Sequence, residues 1–263
     1  MDIHKPKPWH SAREFLKEYL IIVVGVLTAL AGEQLVEMLH WRHVVNEARD
    51  ALKDDEKQML QWAGQREAQA PCIAREFRQL GEALDRAGET GKLEPLTYVA
   101  GPSRVSWALR SYDAIVSGQA LPHMPQAERA KITAHNNLSI YIERGREVEV
   151  HDWSVLHSLE GKGRKTTDAE VANLRAVLSE AVLQFSLIRQ GSRDFADLIV
   201  RTGLLTPKEV QASWQSGAAL AGGRGGPCVP THMSYRELEL RRMETPILSP
   251  PAWPPTPPNW PQQ

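Results

Sequence analysis

Apolar residues recur at intervals of three and four along most of this chain, the spacing of one helix face. The two-residue alternation of a half-buried strand is rare. The pattern predicts an all-α protein: an N-terminal transmembrane helix continuing into a helical bundle, followed by a Pro-rich disordered tail. Its first element is a run of fourteen residues without a charge, Tyr19 to Gly32 (YLIIVVGVLTALAG).

Fourteen helical residues cover roughly 21 Å against a hydrocarbon core of about 30 Å, so the flanks must contribute. Phe15 and Leu16 extend the run upstream and Leu35 and Val36 downstream. Lys17, Glu18, Glu33 and Gln34 fall near the ends, where long side chains snorkel. Trp9 and Trp41 are separated by roughly 48 Å of helix and fit interfacial anchors, though they also read as ordinary tryptophans.

Three readings compete for this segment: an uncleaved signal anchor, a secretory signal peptide cut after Ala31, and a buried helix of a soluble protein. Ala29-Leu30-Ala31 before Gly32 has the small-x-small form of a cleavage site. Against cleavage, the leader is long and carries Glu14 and Glu18, and Ser11 with Glu14 forms a capping box opening a helix without a breaker until Pro71. The anchor is therefore favoured. Lys5, Lys7, Arg13 and Lys17 precede it, against Arg42 and Arg49 after it, which puts the N-terminus inside. The expected organisation is a cytoplasmic segment 1–18, a transmembrane helix 19–36, an extracytoplasmic helical domain 37–244 and a Pro/Trp-rich tail 245–263.

Beyond the membrane, Met38, Val45, Leu52 and Met59 repeat every seven residues, with Trp41, Ala48, Asp55 and Trp62 three places later. This stem fits a coiled coil between two chains or a helix packed into its own bundle; Asp55 at a seam position favours the latter. Pro71 is expected to break it. A second helix should end at Gly88, a loop should run to Pro102, and a third helix should span Ser103 to Ser117. A fourth should cover Gln126 to about Leu159, interrupted in pattern by Gly145. Thr167 and Glu170 form a capping box for a fifth helix, striped by Val171, Leu174, Leu178, Ala181, Phe185, Ile188, Phe195 and Ile199. Thr206-Pro207-Lys208-Glu209 starts a sixth that fades at Gly222. After a glycine-rich hinge to Pro230, Ser234 to Met243 reads as a short last helix.

The tail has eight prolines in nineteen residues, a composition that favours extended polyproline II. Trp253 and Trp260 within it either dock on the bundle or a Pro-reading partner, or belong to a plain tail.

Composition adds little to the chemistry. A formal net charge of −1 and scattered Lys and Arg argue against nucleic acid. The two cysteines, Cys72 and Cys228, either close one disulfide in an oxidising compartment or are buried thiols. Glu37, His40, His43 and Glu47 fall on one helix face and are weak metal-ligand candidates, because a di-metal bundle site needs a second Glu-x-x-His. His151, Asp152, Ser154 and His157 lack the nucleophile elbow that hydrolase chemistry needs. Neither a catalytic residue nor a cofactor is assigned. Gly25 with Ala29 and Thr28 with Gly32 offer two small-x-x-x-small faces for helix pairing.

Two stretches carry a resemblance: HSAREFLKEYLIIVVGVLTALAGEQLVEMLHWRH, His10 to His43, and SWALRSYDAIVSGQALPHM, Ser106 to Met124. Together they resemble an uncharacterised group of bacterial single-span inner-membrane-anchored proteins. The resemblance implies a helical extracytoplasmic domain and carries over no activity and no functional residue. The leading expectation is a membrane-anchored, non-enzymatic interaction or scaffold protein, in contact with the lipid bilayer and with a protein partner or a second copy. The alternative is an extracytoplasmic ligand-sensing domain. Eighteen cytoplasmic residues cannot hold an output domain, so a sensor would need a partner subunit. An enzyme of unknown class is the third reading.

Overall fold

The computed structural model describes residues 12–221. The expectations for Trp9, the Ser11 cap, Cys228, the helix at Ser234 to Met243, Trp253, Trp260 and the Pro-rich tail lie outside the described residues.

One helix, α1 (Ala12–Thr90), runs without interruption for 79 residues, about 120 Å at 1.5 Å per residue. Its first third stands clear of the rest of the chain. Phe15, Leu20, Ile21, Ile22, Leu27 and Leu30 are all exposed, and burial begins only at Val45. The helix passes through Pro71, where a break was expected. Proline in a helix interior forfeits the hydrogen bond to residue i−4 and crowds its carbonyl. Here Glu67, four residues earlier, is clamped by Arg189 and Arg193, while Ala70, Cys72 and Ile73 are buried on either side of the exposed proline. Packing holds the turn that the local sequence would release. The helix ends at Thr90 rather than Gly88, because Gly91 takes the left-handed conformation (φ 65°) and its N–H donates to the Ala87 carbonyl at 2.9 Å.

The remaining elements are β1 (Lys92–Leu93), α2 (Arg110–Ser117), a 3-10 turn (Leu121–His123), α3 (Gln126–Leu156), β2 (Arg164–Lys165), α4 (Asp168–Thr202) and α5 (Pro207–Leu220). A 3-10 turn, His157–Leu159, extends α3. The strands, which the periodicity does not predict, pair antiparallel with Lys92 opposite Lys165 and join the far end of α1 to the start of α4.

The segment from Ser103 to Leu109 is extended, not the first half of a helix. Its backbone is held by helix side chains instead of by its own ladder. Glu76 accepts from the Ala100 N–H at 3.1 Å, Gln69 donates to Ser103 Oγ at 2.8 Å, and Glu143 accepts from the Trp107 N–H at 2.7 Å. Asp55 then accepts from the Ser111 N–H at 2.6 Å, capping α2, whose own N-cap Leu109 has no side-chain acceptor. Trp62 meets Trp107 edge to face, and Trp41 stacks on His123 at 3.7 Å. Positions 41, 55, 62, 69 and 76 of α1 thus meet residues 123, 111, 107, 103 and 100. One seven-residue stripe guides a segment running antiparallel to the helix, and three or four residues of that segment match the roughly 10 Å rise of each heptad. Val45, Leu52 and Met59 of the companion stripe are buried within the same chain, whereas Met38 is exposed.

α4 keeps all eight residues of its predicted stripe buried. It starts at Thr167, whose hydroxyl accepts from the Glu170 N–H, but the box is half made because Glu170 pairs with Arg164 at 2.6 Å. α3 continues through Gly145, where a Cβ would press on Ile188 and Gln184 of α4. The box at Thr206 and Glu209 is complete, with Pro207 at the first helical position. Two apolar cores result. One lies nearer the N-terminal segment, around Leu52, Trp107, Phe195 and Trp214; the other surrounds Ile73, Leu84, Trp153 and Phe185. By length and composition, α1 and α4 are both apolar enough to cross a membrane. Only α1 exposes its apolar stretch on every side.

Candidate functional site

The residues named from the sequence are distributed rather than gathered. His43 pairs with Glu47 at 3.2 Å, Glu37 accepts from Trp41 Nε1 at 3.4 Å, and the His40 ring meets Trp41 edge-on. Among the described residues no group of three or more His, Cys, Asp and Glu is placed to hold a metal ion. Ser154 donates to the His151 carbonyl and His157 contacts Glu160 at 2.9 Å, so no serine–histidine pair forms there. Gly25 and Gly32 have nothing within 4 Å of where a Cβ would sit, and Thr28 donates back to the Val24 carbonyl. Both small-residue faces are therefore uncovered. Cys72 is buried on α1.

Three ionic ties that the sequence reading missed cross the interior. His135 of α3 places Nδ1 2.5 Å from Glu56 Oε1 of α1 and Nε2 2.9 Å from Thr202 Oγ1 of α4. Glu56 and His135 are fully buried, and the second carboxylate oxygen of Glu56 makes no hydrogen bond. A carboxylate, an imidazole and a hydroxyl in line have the composition of a proton relay. Here solvent does not reach the pair, and Thr202 Oγ1 donates to the Leu198 carbonyl at 2.8 Å. The arrangement ties three helices together and exposes no nucleophile. Its trace in the sequence is a polar residue in apolar register, Glu56 between Leu52 and Met59.

Arg66 and Glu149 form a second buried pair, with the Arg66 guanidinium 4.6 Å over the Phe185 ring. Burial raises the Glu149 carboxyl above its ordinary range even beside Arg66. The third tie is Glu67, which both Arg189 and Arg193 grip; against the opposing effect of burial, their hydrogen bonds hold its pKa below the ordinary carboxylate value. Glu76 is different. No arginine clamps it among the described residues; its Oε1 accepts from the Ala100 N–H, and burial pushes its pKa up to about 7.

An open groove of about 460 Å³ lies beside the stretch where α1 passes from fully exposed to packed. Gln34, Glu37, Met38, Trp41 and Arg42 line its lower part, with Arg49 and His123 above. Arg49 is fixed by two hydrogen bonds to Glu128, at 2.6 and 2.7 Å, and serves as wall. Arg42 is exposed and makes no ion pair among the described residues. The groove joins a cation, a carboxylate, an aromatic platform and apolar surface. No family model, curated protein or solved structure matches the chain.

Proposed function

We propose that this is a bacterial inner-membrane protein with a single span at residues 19–36, its N-terminus in the cytoplasm and a helical bundle of residues 37–244 in the periplasm. It works there as a non-enzymatic interaction scaffold, related to the membrane-anchored proteins that its two sequence stretches resemble.

The observation that carries this reading is α1 itself. A helix bare and apolar over its first third and central to both cores over the rest couples a membrane anchor rigidly to everything above it. A cleaved leader would instead sever a helix that continues unbroken past Ala31. The uncovered Gly25/Ala29 and Thr28/Gly32 faces support pairing with a second membrane helix, from another copy or a partner. The closed Glu56–His135–Thr202 tie supports a scaffold over a catalyst.

Reporter fusions at Leu16 and at Gly88 test the reading and are expected to mark opposite compartments, with the mature protein keeping its N-terminus. Gly32 as the mature first residue would overturn the anchor. Crosslinking pull-downs from membranes, with and without residues 245–263, then test whether the tail recruits the partner.

A further inference from the structure

We infer that the groove beside Trp41 is a binding site for the headgroup of a membrane phospholipid that carries an amine beside its phosphate, as phosphoethanolamine does. The inference rests on the membrane reading of α1. If Val36 ends the span, the headgroup layer, about 5 to 8 Å thick per leaflet, reaches four or five helical residues further, to about Trp41. The lower lip of the groove from Glu37 to Trp41 then lies inside that layer, with Gln34 just below it at the end of the span and Arg42 at its outer edge.

The chemistry of the lining matches both poles of such a headgroup. Arg42, exposed and without an ion pair among the described residues, offers the forked donors that bind a phosphodiester. Glu37 has one oxygen on Trp41 Nε1 and keeps the other for an ammonium group. The Trp41 ring is held flat against His123, 13° from parallel, which fixes one wall and fits the enrichment of tryptophan at the interface. Met38, exposed and directed into the groove, continues the apolar surface of the span toward the acyl chains. A free anion would need only Arg42. Glu37 and Met38 in the same groove argue for a ligand with a positive group and a lipid tail.

The test uses the full chain with a photoreactive amino acid at Met38, in vesicles of phosphatidylethanolamine and phosphatidylglycerol. Illumination is expected to give phosphatidylethanolamine adducts by mass spectrometry. Arg42→Gln should lower the yield on the order of tenfold, the loss of one charge-assisted contact. Glu37→Gln should remove the preference for phosphatidylethanolamine while leaving phosphatidylglycerol adducts. Arg42 and Glu37 are both exposed, so neither change disturbs the core. Unchanged yields in both variants, or adducts joining two chains in place of lipid, would overturn the site while leaving the anchor standing. Release of the wild-type protein from the vesicles by alkaline carbonate would overturn the anchor, and the site with it.

Discussion

Gly64 of α1 and Gly217 of α5 sit at one helix crossing, each turned against the other helix's main chain. A methyl group on Gly64 would overlap the Trp214 carbonyl, and one on Gly217 would overlap the Gln61 carbonyl. About two turns earlier on both helices, Lys57 lies 3.3 Å from Glu209, so the pair run side by side in one direction. This contact seats Val210 and Trp214 in the core nearer the exposed N-terminal part of α1.

Gly64→Ala and Gly217→Ala are each expected to destabilise the protein by about 2 to 4 kcal/mol, the upper range for overpacking, since backbone must move to admit the methyl. Helix propensity alone would favour alanine by about 1 kcal/mol. Gly81 on the same helix supplies the control, because a Cβ there meets only Leu178 at 3.9 Å. Gly81→Ala should therefore be neutral or slightly stabilising. Equal denaturation midpoints for all three variants would show that the crossing is looser than described.

Pro71→Ala is expected to stabilise by about 1 to 3 kcal/mol, because it restores an N–H to the middle of α1 and removes the crowding of the Glu67 carbonyl. The gain should depend on the clamp that now bridges the defect. In a Glu67→Gln background, which weakens the contacts of Arg189 and Arg193, the proline should be costlier and its replacement more beneficial. A destabilised Pro71→Ala would mean that the proline itself is favourable where it stands.

The elements legible in the sequence were those whose signals are local. The stripe of α4 and the Thr206–Glu209 box need only their own neighbours, and both are found in place. Pro71 misled because the residues that carry the helix through it, Arg189 and Arg193, are more than a hundred positions away. Ser103 to Leu109 misled for the same reason: its hydrogen-bond partners Gln69 and Glu143 belong to other helices. Asp55 at a seam position was read as favouring intrachain packing; its carboxylate caps α2 of the same chain. Glu37 and Trp41 were visible as separate candidates. Their neighbour Arg42 was read as a topology charge and as a charge beside the seam, because nothing local reveals that His123 returns to close the groove.

Replacing Glu56 with Leu leaves His135 buried with one nitrogen unpartnered, and removing one member of such a pair typically costs about 3 to 5 kcal/mol. Glu56→Leu and His135→Leu should each be strongly destabilising. The double variant should recover a large part of the loss, since no polar group is then stranded between Leu52 and Met59. Additive losses in denaturant would show that the 2.5 Å contact contributes no coupling.

Glu76 should make stability depend on pH in the direction opposite to Glu67, whose pKa is lowered. Its pKa is raised by burial to about 7, above the ordinary glutamate value, so between about pH 4.5 and 7 the native state holds a proton that the unfolded state has released. Stability contributed at this site is therefore fully present below about pH 4.5 and is lost as pH rises through 7. At about 1.4 kcal/mol per pKa unit the loss amounts to at most about 3 to 4 kcal/mol. Glu76→Gln keeps an acceptor for the Ala100 N–H and removes the ionisation. Relative to wild type it should be close to neutral at pH 4.5 and stabilising at pH 8, where the ionised carboxylate otherwise loosens the extended segment on α1. Urea denaturation of both proteins across that range measures the difference. A gap that stays constant with pH would remove Glu76 as the titrating group.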